Sequence, residues 1–121
     1  MEDLYIPGTD KTFTFNLKPG FLHIQGCSYP PSASVSFRQA HVWIKKYLEN
    51  PNPITILNCD FQCCDSASAR ELTDLLHFLM NGLRMAGKEL RVRWRIDDDE
   101  DLLILAESIE QRLNLRFEYY K

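Results

Sequence analysis

The sequence lacks several features that would indicate a function class directly. No apolar run approaches the roughly 20 residues that a membrane-spanning helix needs, so we expect no membrane insertion. No charged-then-apolar leader precedes the first predicted strand, which favours a cytoplasmic protein. The net charge of −3 gives no electrostatic reason to expect nucleic-acid binding. A chain of 121 residues with an ordinary globular composition is enough for one domain.

The cysteines and histidines do not have the spacing of a metal site. They are His23, His41, His77, Cys27, Cys59, Cys63 and Cys64. Zinc sites need pairs of these ligands at short loop spacings, whereas the histidines are isolated from one another. Adjacent Cys63 and Cys64 would point to opposite faces of a strand, which makes a poor disulfide framework. We therefore predict no metal, no cofactor, and reduced thiols that act as small buried apolar groups.

Hydrophobic periodicity predicts a mixed α/β fold. Period-two alternation predicts strands near 12–16, 21–25, 54–63, 88–96 and 117–119. Amphipathic patterns predict helices at about 34–49, capped by Ser32 or Ser34, at about 66–85, ending at Gly87, and after the acidic run 97–101. Acidic residues at a helix start complement the helix dipole, so we take that run as a capping segment rather than a calcium loop.

The order of these elements predicts the architecture of the domain. Strands that alternate with helices favour parallel pairing through right-handed crossovers. The strands alternate in polarity, so one face of the sheet should be open. We expect one domain over residues 1–121, with about five strands and three helices packed mainly on one face. The open face would carry Asn58, Asp60, Gln62, Arg91, Arg93 and Arg95.

The segment "CDSASAR", at the junction between a strand and the central helix, allows two chemistries. Cys64 and Arg70 are separated by five residues, which is the spacing of a cysteine phosphatase loop. Such a loop needs glycine to wrap closely round a phosphate, and this segment has none. The charge of Asp65 would also oppose both a thiolate and a bound phosphate. A small cysteine phosphatase is kept as an alternative hypothesis.

The second chemistry makes Ser66 the acceptor of a phosphate. The first turn of a helix has unpaired N–H groups and a partial positive charge, so the fold can tolerate a phosphate there. The added charge, about −1.5 to −2 at pH 7, would alter any surface that includes it. Ser68 is a weaker candidate because helical projection places it on the buried side. Asp65 and Ser66 can equally be explained as helix caps.

Five stretches of the chain together resemble the SiaC family of bacterial regulatory phosphoproteins. They are "LYIPGT", "GFLHIQGCSYP", Trp43 with Tyr47 and Leu48, "CDSASARELTDLL" and "VRWRIDDDED". The resemblance covers nearly the whole chain. It implies a STAS-like fold, similar to that of the anti-sigma-factor antagonists, with a sheet backed by helices.

The resemblance also implies a switch residue. The family carries a Ser or Thr at the start of the central helix, within an Asn-Ser/Thr-Ser-Ser-x-Lys pattern. Asp65 stands at the Asn position, Ser66 at the phosphoacceptor, Ala67 and Ser68 at the next two, and Arg70 at the Lys. The resemblance therefore implies phosphorylation at Ser66, flanked by Asp65, Ser68 and Arg70.

Three positions depart from the family pattern. Ala67 replaces a hydroxyl residue, which would alter recognition by a kinase. Pro31 stands where the family usually has Glu, in a loop that would face a partner. Phe13 stands where Pro is common. None of these changes removes the acceptor hydroxyl.

The family resemblance implies a protein that is not itself an enzyme. It implies a partner-switching pathway with a Ser/Thr kinase, a metal-dependent Ser/Thr phosphatase and a target. The target described for the family is a diguanylate cyclase of biofilm signalling, activated by the unphosphorylated form. A diverged anti-sigma-factor antagonist is a further alternative.

A partner-switching protein needs a docking surface. On the central helix, Phe78 and Met85 project away from the predicted buried stripe, and on the first helix Val35 and Val42 do the same. Each pair is seven residues apart and so lies along one side of its helix. We predict that these four side chains contact a kinase or a target.

Overall fold

The computed structural model of the protein describes residues 1–29 and 33–121. Within these ranges the chain forms six strands and three helices. The strands are β1 (Leu4–Ile6), β2 (Thr14–Lys18), β3 (Phe21–Ser28), β4 (Ile54–Cys64), β5 (Glu89–Arg95) and β6 (Phe117–Tyr120). The helices are α1 (Ala33–Tyr47), α2 (Ser66–Met85) and α3 (Glu100–Leu113). No helix among the described residues is long and apolar enough to cross a membrane.

The six strands form one sheet whose spatial order is the same as their order in the chain. β1, β2 and β3 pair antiparallel, and β3 to β6 pair parallel. Each of the three helices connects two neighbouring parallel strands, and every connection moves in the same direction across the sheet. Right-handed crossovers in one direction place all three helices on the same face. The predicted mixed α/β fold with helices on one face is therefore confirmed.

The predicted number of about five strands is wrong, because β1 adds a sixth. β1 has only three residues and pairs Leu4 with Leu17 and Ile6 with Phe15 at the edge of the sheet. A three-residue segment has too few alternating positions to be identified from periodicity. β1 is held in the sheet by its pairing with β2, and its own sequence carries no recognisable strand pattern.

The core lies between the sheet and its helices. Phe13 stacks on Phe61 with ring centroids 4.4 Å apart, and Trp94 stacks on Phe117 at 5.6 Å. The face of α2 that packs against them is Ser68, Leu72, Thr73, Leu75, Leu76, Leu79, Met80 and Leu83. Packed aromatic pairs of this kind contribute about 0.5–1.5 kcal/mol each beyond the area that they bury.

The ends of the helices mostly follow the predicted signals. Asp99 caps α3, because its carboxylate accepts hydrogen bonds from the backbone N–H of Asp101 and Leu102. Gly87 follows α2 with φ +70°, a left-handed conformation that closes the helix. Ser34 lies inside α1, so it is not the cap. The other predicted cap, Ser32, and the family departure Pro31 lie outside the described residues.

The open face of the sheet carries the predicted row of arginines, but Asn58 differs from the prediction. Arg91 and Arg93 are exposed, and Arg95 pairs with Asp60 at 3.2 Å. Asn58 is only 7% exposed, because its side chain lies beneath two neighbours. Its Nδ2 hydrogen-bonds to His23 Nδ1 at 2.8 Å and donates to Tyr120 Oη at 2.9 Å.

Candidate functional site

Ser66 is the first residue of α2, and its side chain is exposed. β4 ends at Cys64, so Ser66 lies two residues after the C-terminal end of a central strand. Asp65 between them is the N-cap: its carboxylate accepts from the backbone N–H of Ser68 at 2.8 Å. The N-terminal turn therefore presents the Ser66 hydroxyl to solvent beside a capping carboxylate.

Ser68 has a different environment from Ser66. It is 1% exposed, as predicted from helical projection. Its hydroxyl forms a 2.7 Å hydrogen bond with the buried hydroxyl of Ser28, the last residue of β3. A kinase cannot reach a hydroxyl in that position without opening the junction between β3 and α2. Ser66 is the accessible hydroxyl of the pair.

Ser66 opens onto a depression between α2 and α3, which we call the Ser66 depression. Its volume is about 250 Å³, and it is lined by Ser66, Ala69, Arg70, Thr73, Leu105, Ser108, Ile109 and Arg112. Arg70 and Arg112 contribute two cations, and neither forms an ion pair within residues 1–29 and 33–121. The sequence pattern identified Arg70 but not Arg112. Helix packing brings Arg112 from α3 to the same depression.

A second concave surface lies on the other side of α2, and we call it the α1/α2 groove. It has a volume of about 480 Å³ and is lined by Ser34, Phe37, Arg38, His41, Val42, Lys45, Glu71 and Phe78. Phe78 is partly buried and packs on the ring of His41, with centroids 4.6 Å apart. Val42 is 67% exposed at the wall of the groove. The groove combines an apolar surface with charged groups, as protein-binding surfaces do.

The four predicted docking residues fall into two groups. Val42 and Phe78 meet in the α1/α2 groove, although they come from different helices. Val35 and Met85 are 55% and 90% exposed and do not line it. Met85 is at the far end of α2, about 28 Å along the helix axis from Ser66 at 1.5 Å per residue. The structure therefore brings two of the four together.

The geometry at Cys64 and Arg70 does not form a phosphatase loop. Residues 66–70 are the first turns of α2, so they cannot wrap their backbone round a phosphate. Burial and the neighbouring charge of Asp65 raise the pKa of the Cys64 thiol to about 12. A phosphatase needs the opposite shift, because the thiolate is the nucleophile. The two residues have this spacing because Cys64 ends a strand and Arg70 lies in the first turns of the helix that follows.

The prediction that all cysteines are reduced is wrong for Cys27 and Cys63, which form a disulfide. A β-bulge between Gly26 and Cys27 shifts the register of β3 against β4, so that Cys27 lies opposite Cys63. Without this shift Cys27 would lie opposite Gln62. Gly26 has φ +105° and open space at its Cβ position, which lets the strand adopt the bulge. Sequence spacing carries no information on such a shift.

The other two cysteines are free thiols. Cys59 is 1% exposed in the core, as predicted for a small apolar group. Burial raises its pKa far above the ordinary range, so it is protonated. Cys64 is partly exposed, and its Sγ lies 3.7 Å from the carbonyl oxygen of Asp65. Both thiols are therefore poor nucleophiles.

Comparison with known proteins places this architecture in one family. The model of the SiaC family of regulatory phosphoproteins matches residues 7–121. The solved structure of SiaC of Pseudomonas aeruginosa is 27% identical with a TM-score of 0.82, over 100% of this chain and 98% of that one. A chain in the crystal structure of the diguanylate cyclase SiaD in complex with its activator SiaC, from the same organism, is 26% identical with a TM-score of 0.82. That match covers 97% of this chain and 98% of the other.

A curated relative also matches this chain over nearly its whole length. It is an uncharacterized protein of Pseudomonas aeruginosa strain UCBPP-PA14, and it is 28% identical over 120 residues. The match covers 97% of this chain and 94% of the relative. The likeness therefore runs through the sheet, the helices and the segment that carries Ser66. The chain belongs to the SiaC family of regulatory phosphoproteins.

Proposed function

We propose that this protein is a non-enzymatic switch whose unphosphorylated form binds and activates a diguanylate cyclase, and that a partner kinase turns it off by phosphorylating Ser66. The observation that carries the proposal is the exposed Ser66 hydroxyl at the start of α2, in one depression with the guanidinium groups of Arg70 and Arg112, which form no ion pair with any residue that the structure describes. This chain resembles the SiaC activator in the solved complex of a diguanylate cyclase with SiaC, and that complex supports the choice of target.

The N-terminal turn of α2 can carry a phosphate without disrupting the fold. The free N–H groups and the helix dipole favour negative charge at this end, by roughly 0.3–1 kcal/mol at an exposed site. Arg70 on the same helix and Arg112 on α3 add charge-assisted hydrogen bonds to phosphate oxygens. We propose that these two arginines hold the phosphate of modified Ser66 in the depression between α2 and α3.

We propose the α1/α2 groove as the docking surface for an apolar segment of the cyclase. Val42 and Phe78 supply apolar contact, while Arg38, Lys45 and Glu71 supply charged groups that set its orientation. Buried apolar anchors surrounded by polar groups are the usual arrangement of binding hot spots. Val35 and Met85 are proposed as peripheral contacts only, because they lie outside the groove.

The size of the electrostatic effect constrains how phosphorylation weakens docking. Among the α2 residues that line the groove, Glu71 is the nearest to Ser66. The two residues are about 7.5 Å apart along the helix axis, and about 10 Å apart in space because they also lie on different sides of the helix. In water, unit charges at that distance interact by about 0.4 kcal/mol, so a phosphate contributes less than 1 kcal/mol. That is less than a tenfold change in affinity. The cyclase must therefore also contact the N-terminal turn of α2 directly.

The remaining parts of the circuit follow from the chemistry of a reversible phosphate. A Ser/Thr kinase adds it, and a metal-dependent Ser/Thr phosphatase removes it from the exposed turn. The protonated thiols of Cys59 and Cys64 leave this chain without the nucleophile that a cysteine phosphatase uses. We also propose a cytoplasmic location, because a kinase and a diguanylate cyclase both consume nucleoside triphosphates.

Phosphate mapping tests the proposal. The protein is incubated with its cognate kinase and ATP, and the modified residue is located by peptide mass spectrometry. We expect one phosphate, on Ser66, which Ser66→Ala abolishes. Ser108→Ala is the matched control, because Ser108 is an exposed serine in the same depression, and it should leave labelling unchanged. Label on Ser68 or Ser108 in place of Ser66 would overturn the assignment.

A further inference from the structure

The disulfide between Cys27 and Cys63 lies directly beside the proposed phosphorylation site. The two cysteines are register partners at the ends of β3 and β4, with Cα atoms 4.5 Å apart. Both residues are half-buried and neither lies in the core, which is compatible with access for small oxidants and external thiols. Cys63 precedes Ser66 by only three residues, at the end of the strand that leads into α2.

A continuous set of hydrogen bonds connects this disulfide to the first turn of α2. Ser28, which follows Cys27, accepts from the backbone N–H of Asp65 through its carbonyl oxygen at 3.2 Å. The Ser28 hydroxyl also bonds to the Ser68 hydroxyl at 2.7 Å. The end of β3 therefore contacts both the N-cap and the third residue of the helix, with Ser66 between them. A bond that fixes the end of β3 against β4 also fixes these contacts.

We infer that the Cys27–Cys63 bond is a reversible redox modification site whose state sets the order of the first turn of α2, the turn that carries Ser66. In the oxidised protein the crosslink holds Ser28 under Asp65 and Ser68. In the reduced protein the crosslink is absent, and the end of β3 is held by a ladder that a bulge locally disrupts and by the hydrogen bonds of Ser28 to Asp65 and Ser68. The inference that this bond affects phosphorylation rests on the proposed function of Ser66.

The chemistry balances with a hydroperoxide as the oxidant and a dithiol as the reductant. One thiol ionises, and its thiolate attacks an oxygen of hydrogen peroxide and becomes a sulfenic acid as the O–O bond breaks; the hydroxide that leaves takes up the proton released by the thiol and becomes water. The other thiol then ionises and its thiolate attacks the sulfenic sulfur, so that the S–S bond forms and the S–O bond breaks; the hydroxide that leaves takes up this thiol's proton as a second water. In reduction, an external dithiol attacks one sulfur, passes through a mixed disulfide, and leaves as its own disulfide.

The third cysteine in this region, Cys64, does not open the bond from within. Its thiol is protonated at physiological pH, because burial and the charge of Asp65 raise its pKa. Opening therefore depends on a thiol supplied from outside. Disulfides of cytosolic proteins are usually transient and redox-sensing rather than structural. The proposed cytoplasmic circuit is a setting in which such a bond reports the supply of oxidant.

The test compares the purified wild-type protein after hydrogen peroxide and after dithiothreitol. Differential alkylation with mass spectrometry measures the bond, and hydrogen exchange by nuclear magnetic resonance measures the amides of Asp65, Ser68 and Ala69. We expect a complete and reversible conversion, and exchange at least fivefold faster in the reduced protein. The amides of Asp101 and Leu102, in the matching cap of α3, should not change.

Variants separate the bond from side effects of the reagents. Cys27→Ser should show the fast exchange in both conditions, whereas Cys64→Ser should respond to peroxide and dithiothreitol as the wild type does. A bond that does not form with peroxide, or exchange at Asp65 that is equal in both states, would overturn the inference. Redox-dependent exchange in a protein that no kinase labels at Ser66 would support the redox site and overturn the proposed function instead.

Discussion

The two sides of helix α2 differ in chemistry although they belong to the same element. The side that faces α1 carries the α1/α2 groove, where Phe78 and Val42 form an apolar surface. The side that faces α3 carries the Ser66 depression, where a hydroxyl lies beside Arg70 and Arg112. One side is suited to hold an apolar segment of another protein, and the other is suited to hold an anion.

Under the proposed function, this difference separates recognition from control. A single surface that both bound the partner and carried the phosphate would lose its partner whenever the phosphate was added. Any mutation that altered the phosphate site on such a surface would also damage partner binding. In the proposed switch, the phosphate has arginines of its own, while the groove keeps its apolar contacts. The coupling between the sides passes through the N-terminal turn of α2, which is why we place part of the cyclase interface there. Four predictions test the separation.

The largest expected effect concerns Cys64, which lies at the Ser66 end of the helix. A pKa raised from 9.0 to about 12 by burial and by Asp65 leaves about a thousandfold fewer thiolates at neutral pH than an ordinary cysteine has. Iodoacetamide at pH 8 should therefore label Cys64 at least a hundredfold more slowly than a free thiol. The same residue in urea, where burial is lost, should react at the ordinary rate.

Rapid labelling of folded Cys64, accompanied by turnover of an aryl phosphate that Cys64→Ser abolishes, would restore the phosphatase hypothesis. It would also contradict the comparison, because the N-terminal end of α2 would then carry out chemistry on phosphate rather than hold one.

The second prediction places a charge in the α1/α2 groove. Val42→Asp should weaken binding to the cognate diguanylate cyclase at least thirtyfold, about 2 kcal/mol, because a carboxylate would be desolvated against an apolar partner. The free energy of unfolding should change by no more than about 0.5 kcal/mol, because the side chain is exposed. Isothermal titration calorimetry and urea denaturation measure the two quantities.

The control is Gln39→Asp, which adds the same charge at an exposed position of the same helix outside the groove. Equal weakening by both variants would show that net charge, and not the groove, governs docking.

The third prediction concerns Arg112 and separates the phosphorylated from the unphosphorylated protein. Arg112→Ala should lower the free energy of unfolding of the phosphorylated form by about 1 kcal/mol, because an exposed charge-assisted contact is lost. The unphosphorylated form should be unaffected. Arg116→Ala, an exposed arginine outside the depression, should affect neither form. An equal loss in both forms would mean that Arg112 packs structurally and does not hold the phosphate.

The smallest effect is expected at the capping residue. Asp65→Asn keeps a side-chain acceptor for the N–H of Ser68 but removes a negative charge next to Ser66. Phosphorylated protein should gain about 0.5 kcal/mol relative to the unphosphorylated form, because two negative charges no longer meet. Asp99→Asn makes the same change at the cap of α3 and should leave this difference unchanged. Denaturation curves of both forms provide the measurement.

Local pattern predicted α2 with its observed bounds, and the reason is physical. Its apolar residues recur with the helical period, Asp65 supplies the cap and Gly87 supplies the left-handed residue that ends it. All of these signals lie within or beside the helix itself. The burial of Ser68 followed from the same projection.

What the sequence did not reveal depends on contacts between distant segments. Arg112 reaches the Ser66 depression only because α3 packs beside α2. Cys27 meets Cys63 only because a bulge shifts the register of β3, and Asn58 is buried only because His23 and Tyr120 lie over it. No spacing within one element encodes these contacts.

The most direct test of the account is the affinity of the cognate diguanylate cyclase for two forms of this protein. One form is unmodified, and the other is stoichiometrically phosphorylated at Ser66 and purified. Isothermal titration calorimetry at physiological salt should give an affinity at least tenfold weaker for the phosphorylated form, with cyclase activation lost in parallel. Ser66→Ala, treated with the same kinase, should bind as the unmodified protein does. Equal affinity of the two forms would contradict the claim that the charge at Ser66 controls docking.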